Sequence, residues 1–307
     1  MSAPLRVPGA RPLTVGVIGA GRIGTVLGAA LAAAGHRVVG VTARSRASRT
    51  RAAELLPDAT VGSPDEVARA ATDLLLVAVP DDTIGPLVGE LATTGALRDG
   101  QVVAHVCGAH GTAVLAPAVR CGAHPLAMHP AMTFTGGADD VARLAGVSYG
   151  VTAPDELRPL ATRLVADLGG TPEWIAEGDR PGYHAALAHG ANHLVTLVNE
   201  AAALLRGAGV REPATLLAPL LRAALDNALN LGDAALTGPV ARGDAGTLAD
   251  HLRHLARTAP DSVAAYRALA RRTADRAIAA GRLDPAAAEA LLGVLAAQPH
   301  ALAEEAS

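Results

Sequence analysis

Short apolar runs alternate with helical patterns along the first half of the chain. Residues Val15–Ile18 form the first run, which is short enough for a strand buried on both faces. A helical pattern over Ile23–Leu31 follows and stops before Gly35, and a second apolar run then covers Val38–Val41. This order predicts a βαβ unit, in which a crossing helix joins two parallel strands.

The alternation continues to residue 175, and helical patterns occupy the rest of the chain. We expect further strands between residues 73 and 81 and at 101–106, 123–129, 147–151 and 171–175. Helices are expected at 46–56, 84–97 and 155–168, and then at 183–206, 212–231, 245–258, 261–280 and 285–297. The predicted parts are a disordered tail over 1–12, a sheet domain over 13–178 and a helical domain over 179–300.

Three glycines stand directly after the first predicted strand. Gly19 permits a tight turn, Gly21 lets the backbone approach a pyrophosphate, and Gly24 lets the helix pack closely on the strand. Arg22 and Ile23 open the helix, whose free N–H groups and dipole suit phosphate. The alternative is a turn that binds nothing, but strand, glycines, helix and second strand occur in the order that a dinucleotide site requires. The prediction is an α/β Rossmann doubly wound parallel sheet, followed by an all-α C-terminal domain.

The residues after the second strand indicate which dinucleotide this site prefers. NAD sites place an acidic residue there for the ribose 2′-hydroxyl, whereas this chain has Arg44, Ser45 and Arg46. Guanidinium groups bind phosphate oxygens in pairs, which predicts NADP(H) as the cofactor of the domain over 13–178. In the alternative, these arginines only solvate a loop. Val79 and Pro80 end another strand at the same edge and are further candidates for cofactor contact.

Composition narrows the possible partners. The net charge is −3 and aromatic residues are 2% of the 307 residues, which argues against nucleic-acid binding. No apolar stretch is long enough for a membrane span, and the first residues lack the apolar core of a signal peptide. Two cysteines are too few for a disulfide framework, so a cytoplasmic location is expected. The sequence contains no lysine, which excludes Schiff-base chemistry and a lysine proton donor.

Three segments carry a resemblance that covers nearly the whole chain. They are HPAMTF at 129–134, YHAALAHGANHLVTL at 183–197 and LTGPVARGD at 236–244. With these segments the chain resembles bacterial Rossmann-like proteins with a helical C-terminal domain of unknown function. That group is similar to the superfamily of 6-phosphogluconate dehydrogenase, ketopantoate reductase and pyrroline-carboxylate reductase. The resemblance implies a reductase, and a homodimer formed through the helical domain.

The superfamily often uses a lysine and an asparagine one turn apart on the first helix of the second domain. Asn192 matches the asparagine, but Ala188 stands one turn earlier. Histidine is then the candidate proton donor, because its pKa lies near neutral pH. His184 flanks a stripe of small and polar residues around Asn192, and His129 ends a strand at the cofactor edge. In the alternative, the stripe only packs against a neighbouring helix and His129 is a turn residue.

Substrate contacts are expected in the third segment. Arg242 is a candidate partner for a substrate carboxylate, with Thr237 in the same loop, while the alternative is an ion pair between Arg242 and Asp244. A metal site is not expected, because none of the spacings forms a recognised zinc motif. The spacings considered involve His105, Cys107, His110, Cys121, His124 and His129.

The expected function is NADPH-dependent reduction of a small 2-oxo acid, most like ketopantoate. Two alternatives stay open, which are reduction of an imine or pyrroline-carboxylate and non-catalytic sensing of NADPH. Helices with small residues on more than one face, such as 201–205 and 214–225, suggest burial beyond one chain and predict a homodimer. The expected partner is a small carboxylate, without nucleic acid or membrane.

Overall fold

A mostly parallel sheet forms the first of two compact units in the computed structural model, which describes residues 11–297. The strands are β1 (Thr14–Ile18), β2 (Arg37–Val41), β3 (Thr60–Val61), β4 (Leu74–Val77), β5 (Val102–His105), β6 (His124–Pro130), β7 (Ser148–Thr152) and β8 (Thr171–Trp174). Their order in the sheet is β3-β2-β1-β4-β5-β6-β7-β8. This first unit ends at Gly190.

Helices cover both faces of the sheet. They are α1 (Arg22–Ala33), α2 (Arg46–Leu55), α3 (Pro64–Ala70), α4 (Asp81–Thr93), α5 (Ala116–Val119), α6 (Asp139–Arg143), α7 (Arg158–Asp167) and α8 (Arg180–Leu187). One apolar cluster includes Leu27 of α1 and Leu164 of α7, and a second includes Val67 of α3 and Ile84 of α4. Two cores on one sheet confirm the predicted Rossmann class.

The sheet is not parallel throughout. β6 and β7 pair antiparallel, with Met128 opposite Val151 and His129 opposite Gly150. The segment between them contains the five-residue helix α6. β7 begins beside the end of β6, with Tyr149 opposite Pro130, and runs back along it. Only β7 and β8 keep the parallel pairing expected for this part.

Helix α4 lies a few residues earlier than its predicted range of 84–97. It begins at Asp81 and ends at Thr93. Asp81 and Asp82 lie in its first turn, where carboxylates favour the positive end of the helix dipole. Gly95, with φ of +62°, ends the helical path. The aspartates and Gly95 do not belong to the apolar stripe of the helix. Periodicity alone therefore predicted a range for α4 that is shifted toward the C-terminus.

The second compact unit begins at Ala191 and is helical throughout the described residues. Its helices are α9 (His193–Gly207), α10 (Pro213–Leu231), α11 (Pro239–Arg242), α12 (Ala245–Thr258), α13 (Pro260–Ala279) and α14 (Pro285–Ala296). Its core includes Leu248, Leu252 and Leu291, which are nearly inaccessible to solvent. The predicted ranges of α10, α12, α13 and α14 are correct to within a few residues, and α11 was not predicted.

The single helix expected over 183–206 is wrong. Helix α8 already begins at Arg180, and a π-helical segment over Ala188–Asn192 separates it from α9. Each residue of a π-turn advances the helix by less than the 100° assumed for the polar stripe, because the turn closes on i→i+5 bonds. Residues after Ala188 are therefore out of phase with His184 and its neighbours.

Parts of the predicted domain ranges fall outside the described residues. These parts are residues 1–10 of the expected tail and 298–300 of the expected helical domain. Arg11 is described, and its guanidinium pairs with the carboxylate of Asp73. None of the helices within 11–297 has both the length and the apolar character needed to cross a bilayer.

Candidate functional site

The glycine turn after β1 is shaped by two close backbone approaches. Gly19 has φ of +108°, and a Cβ atom built on it would lie 2.3 Å from the carbonyl oxygen of Ala78. A Cβ on Gly24 would lie 2.1 Å from the carbonyl oxygen of Gly19. A Cβ on Gly21 would meet nothing within 4 Å. Two of the glycines thus close the turn, while the third faces open space.

Thr42 ties this turn to the end of β2. Its side-chain Oγ1 accepts the N–H of Gly19 at 2.8 Å, and its carbonyl oxygen accepts the N–H of Ala20 at 2.8 Å. The N–H of Thr42 donates to the carbonyl oxygen of Val17 at 3.0 Å. The segment that carries Arg44 is therefore fixed relative to the glycines by paired hydrogen bonds.

A cavity of about 410 Å³ opens at this edge of the sheet, and its size suits a small-molecule or cofactor site. Of the sequence-predicted residues, Gly19, Gly21, Arg44, Ser45, Val79 and Pro80 line it. Arg22, Ile23, Gly24 and Arg46 do not line it. Helix α1 begins at Arg22 with no side-chain cap at Gly21, so the first N–H groups of the helix lack a side-chain partner there.

The arginines and the serine after β2 have different roles in the structure. Ser45 caps α2, because its Oγ accepts the N–H of Ser48 at 3.1 Å. Arg46 is the exposed first residue of that helix. Arg51 also lines the cavity, and its Nη2 donates to the carbonyl oxygen of Ala20 at 3.2 Å. Its Nε is buried without a hydrogen-bond partner among the described residues.

Sequence reasoning missed Arg51. The signal was its helical spacing, because Arg51 follows the buried Ser48 by three residues and precedes the buried Ala52 on the inner side of α2. Two guanidinium groups, those of Arg44 and Arg51, therefore face one cavity from different elements.

A second cluster lies where β5 and β6 end, next to α8. His129 Nδ1 and the hydroxyl of Tyr183 are 3.0 Å apart, and their rings meet edge-on at 87°. The rings of His129 and His184 also meet edge-on, with centroids 6.1 Å apart. A Cβ on Gly108 would lie 2.7 Å from His184 Cδ2 and 3.2 Å from His129 Nε2. The structure thus brings together the two histidines that the sequence nominated.

Tyr183 was not among the sequence candidates. It occupies space that Gly150 leaves free, since a Cβ on Gly150 would lie 2.5 Å from both Cζ and the hydroxyl oxygen of Tyr183. Gly150 is the residue directly opposite His129 in the antiparallel pair. The only sequence signal for Tyr183 was its position at the start of the second resembling segment.

Arg180 lies under this cluster and is completely buried. Its Nε donates to Thr152 Oγ1 at 2.7 Å, and its Nη2 donates to the carbonyl oxygens of Gly150 at 3.0 Å and Ala127 at 3.3 Å. Its Nη1 has no partner among the described residues. The guanidinium carbon lies 5.8 Å from the ring centre of Tyr183. Arg180 therefore anchors the start of α8 to the sheet.

Burial governs the protonation of the cluster. Burial, together with the nearby charges of His184 and Arg180, lowers the pKa of His129 to about 4, against the opposing effect of Asp81. Burial and the neighbouring Asp81 raise the pKa of the Cys107 thiol to about 11. At neutral pH, His129 is an uncharged imidazole and Cys107 is a thiol.

The residues considered for a metal are arranged differently. His105 Nε2 lies 2.7 Å from the carbonyl oxygen of Gly111, and its Nδ1 accepts the N–H of Cys107 at 3.1 Å. Burial lowers the pKa of His105 to about 4. Both ring nitrogens are thus used by the backbone. Within the described part of the chain, no group of three or more histidine, cysteine or acidic residues is placed to hold a metal ion.

The remaining candidates belong to the helical unit. Asn192 is the exposed last residue of the π-helical segment. Thr237 lines a cavity of about 450 Å³, in which His251 Nδ1 lies 2.7 Å from the hydroxyl of Tyr266. Arg242 ends α11, with Nη2 4.0 Å from a carboxylate oxygen of Asp244 and 64% of its side chain exposed. Arg242 and Asp244 thus form the ion pair considered from sequence, with a long separation and with the arginine exposed to solvent.

Two family models match the chain. Residues 3–130 match a Rossmann-like domain, and residues 147–273 match a domain of unknown function, DUF2520. The chain thus matches a Rossmann-like domain in its first part and DUF2520 in the part that follows. The two matches confirm the resemblance drawn from the three segments, although the DUF2520 match begins at β7, inside the sheet unit. No curated protein matches the sequence.

Several solved structures share this fold. A Bacteroides fragilis protein, named provisionally as an NADP oxidoreductase, is 23% identical with a TM-score of 0.72 over 86% of this chain and 98% of its own. The reductive aminase of Aspergillus terreus, solved with NADPH, is 19% identical with a TM-score of 0.62 over 89% and 95%. The NADP-bound pyrroline carboxylate reductase of Plasmodium falciparum is 13% identical with a TM-score of 0.56 over 86% and 98%. At these identities the likeness establishes the fold.

The tightly packed Gly24 and the open position of Gly21 should respond differently to an added methyl group. Gly24→Ala should lower the free energy of unfolding by about 1–3 kcal/mol, because its methyl group would collide with backbone at Gly19. Gly21→Ala is the matched control and should change it by about 0.5 kcal/mol or less. Urea unfolding followed by circular dichroism measures both. Equal losses for the two variants would contradict the steric assignment.

Proposed function

We propose that this protein is an NADPH-dependent reductase of a small substrate with a C=O or C=N bond. The observation that carries the proposal is the cavity that Gly19, Gly21 and the two guanidinium groups of Arg44 and Arg51 line together, with Gly21 directly before α1. The residues present fit the cofactor, since Gly21 leaves room for a pyrophosphate and Arg44 and Arg51 offer charge to a 2′-phosphate. When bound, the nicotinamide supplies the hydride.

Reduction of a C=O or C=N bond also needs a proton, and the second cluster, around His129, offers a donor for it. Pro80 lines the cofactor cavity, and the next residue, Asp81, acts electrostatically on both Cys107 and His129. The cavity lies at the end of β4 and the histidine cluster at the ends of β5 and β6, which are the next strands in the sheet. We assign His129 as the leading proton donor and keep His184 and Asn192 as candidates that orient substrate or hold a water.

Two substrate classes are proposed for this protein. The first is a small 2-oxo acid, similar to ketopantoate, and Arg242 and Thr237 of the helical unit stay the candidates for binding a carboxylate. A cyclic imine such as a pyrroline-carboxylate is the second candidate. It is favoured by the shared fold of the Aspergillus terreus and Plasmodium falciparum reductases.

A homodimer through the helical unit is also proposed. Leu220 and Leu229 of α10 are 61% and 76% exposed, and Leu216, Leu225 and Leu231 on the same helix are exposed as well. At 100° per residue, Leu216, Leu220 and Leu231 lie on one side of α10, and Leu225 and Leu229 lie on the opposite side. A monomer rarely leaves so much apolar surface open to water. A second copy of the chain, which presents the same helix, would bury this surface symmetrically.

The cofactor assignment predicts that Arg44 controls the preference for NADPH over NADH. Arg44→Asp should weaken NADPH binding by about 1.5–3 kcal/mol, the scale of hydrogen bonds to charged groups, and should affect NADH far less. Arg46→Asp is the charge-matched control, because Arg46 lies outside the cavity lining. Fluorescence titration of both cofactors measures the affinities. A wild-type preference for NADH, or equal losses in the two variants, would refute this assignment.

The reductase assignment predicts turnover that depends on the histidine cluster. Wild-type protein should oxidise NADPH with a member of a panel of 2-oxo acids and cyclic imines, which also decides between the two substrate classes. His129→Gln should lower kcat by roughly 10²–10⁴ with NADPH affinity near wild type, and His184→Gln should lower kcat less. If Asn192 orients the substrate, Asn192→Ala should raise the activation free energy measured from kcat/KM by about 1–2 kcal/mol. Tight NADPH binding without turnover on either panel would favour the non-catalytic sensor instead.

The dimer predicts a mass of two chains in solution. Leu220→Glu should shift the mass measured by light scattering at micromolar concentration toward one chain, because it places a charge in the apolar surface. Val119→Glu, at a 46% exposed position of the sheet unit, should leave the mass unchanged. A wild-type mass of one chain would rule out the dimer.

A further inference from the structure

We infer that Tyr183 is the positioning residue of the proton donor, and that its hydroxyl holds His129 in the tautomer with the proton on Nε2. Tyr183 and His129 are 54 residues apart in sequence, yet the phenol hydroxyl lies 3.0 Å from Nδ1. The inference rests on the proposed function for its catalytic part. The tautomer itself can be measured without any substrate.

The direction of this hydrogen bond follows from the surroundings of the phenol. The phenol oxygen lies against the backbone of Gly150, in the space that a side chain there would fill, and its hydrogen-bond partner among the described residues is His129. The phenol has a single proton, and His129 Nδ1 is the acceptor within reach of it. Tyr183 therefore donates to Nδ1. Burial and the nearby His184, Arg180 and His105 lower the pKa of His129 to about 4 against the opposing effect of Asp81, so the imidazole is uncharged at neutral pH.

An uncharged imidazole carries one ring proton, so a hydrogen-bonded, unprotonated Nδ1 places that proton on Nε2. Nε2 lies beside the position where Gly108 has no side chain, 3.2 Å from the Cβ that any other residue would place there. Among residues 11–297, no group is hydrogen-bonded to Nε2. The proton that the substrate needs is thus presented at a nitrogen that the protein leaves available.

The same contacts provide a balanced proton transfer. The Nε2–H bond of His129 breaks as the substrate oxygen or nitrogen takes up that proton. The O–H bond of Tyr183 breaks as Nδ1 takes the phenol proton, so the imidazole stays uncharged. The electron pair and the negative charge remain on the phenolate until it takes a proton from solvent. Burial raises the pKa of Tyr183, and the buried guanidinium of Arg180, 5.8 Å from the ring centre, opposes that shift and favours the phenolate.

Tyr183→Phe tests the inference, with Tyr149→Phe as a matched control. Tyr149 is buried in the same sheet unit, and its hydroxyl has no hydrogen-bond partner among the described residues, so its loss should change nothing at His129. In protein labelled with ¹⁵N-histidine, the His129 resonances are those absent from His129→Gln. Wild type and Tyr149→Phe should show Nε2 protonated at pH 7, and Tyr183→Phe should show a mixture of tautomers.

Turnover supplies the second readout. Tyr183→Phe should lower kcat by roughly 10–100-fold with KM and NADPH affinity little changed, while Tyr149→Phe keeps the wild-type kcat. A wild-type His129 protonated on Nδ1, or a tautomer that Tyr183→Phe does not change, would overturn the inference even if the enzyme is active. An altered tautomer with unchanged kcat would overturn the proton transfer. If no substrate is reduced, the proposed function fails, and the spectra alone decide the tautomer.

Should Tyr183→Phe fail to fold by circular dichroism, Gly150→Ala replaces it. The new methyl group would lie 2.5 Å from the present position of the phenol oxygen and would displace the ring with its hydroxyl retained. The same mixture of His129 tautomers is then expected. An unchanged spectrum with a folded protein would overturn the inference.

Discussion

A buried guanidinium that forms no salt bridge within residues 11–297 fixes the geometry on which the candidate active site depends. Removing a charge from water costs several kcal/mol unless hydrogen bonds replace the lost solvation. Arg180 recovers part of this cost through Thr152 and two strand carbonyl groups. These bonds hold the start of α8 against β6 and β7. Tyr183 and His184, one turn further along α8, are thereby held next to His129.

The same charge also influences the chemistry of the cluster. The positive charge of Arg180 near His129 disfavours a second positive charge, so burial and Arg180 act in the same direction on the imidazole. For Tyr183 the two effects oppose each other, because burial disfavours a phenolate and Arg180 favours it. A group retained in the interior at such cost is therefore better explained by its effect on its neighbours than by stability.

Glycines, which have no side chain, shape the cavity and the histidine cluster as much as the larger residues do. Gly19 and Gly24 allow two backbone segments to approach closely, and this approach forms the turn that borders the cofactor cavity. In the histidine cluster, the absence of a side chain at Gly108 leaves room for the ring of His184, and its absence at Gly150 leaves room for the ring of Tyr183. The first pair stands in a local motif with a known spacing. The second pair carries no such pattern, since its partners come from distant parts of the chain.

The sequence by itself determined the features that depend on neighbouring residues. The βαβ start, the glycine turn, the helical second half and most helix ranges follow from local periodicity and backbone preference. The sequence also nominated His129 and His184, through short segments with a recognisable resemblance. Only the tertiary structure decided the antiparallel return of β7, the π-helical break after α8 and the approach of Arg51 to the cavity. It also decided the burial of Arg180 and the bond from Tyr183 to His129, because their energies arise from contacts between segments far apart in the chain, which no local pattern records.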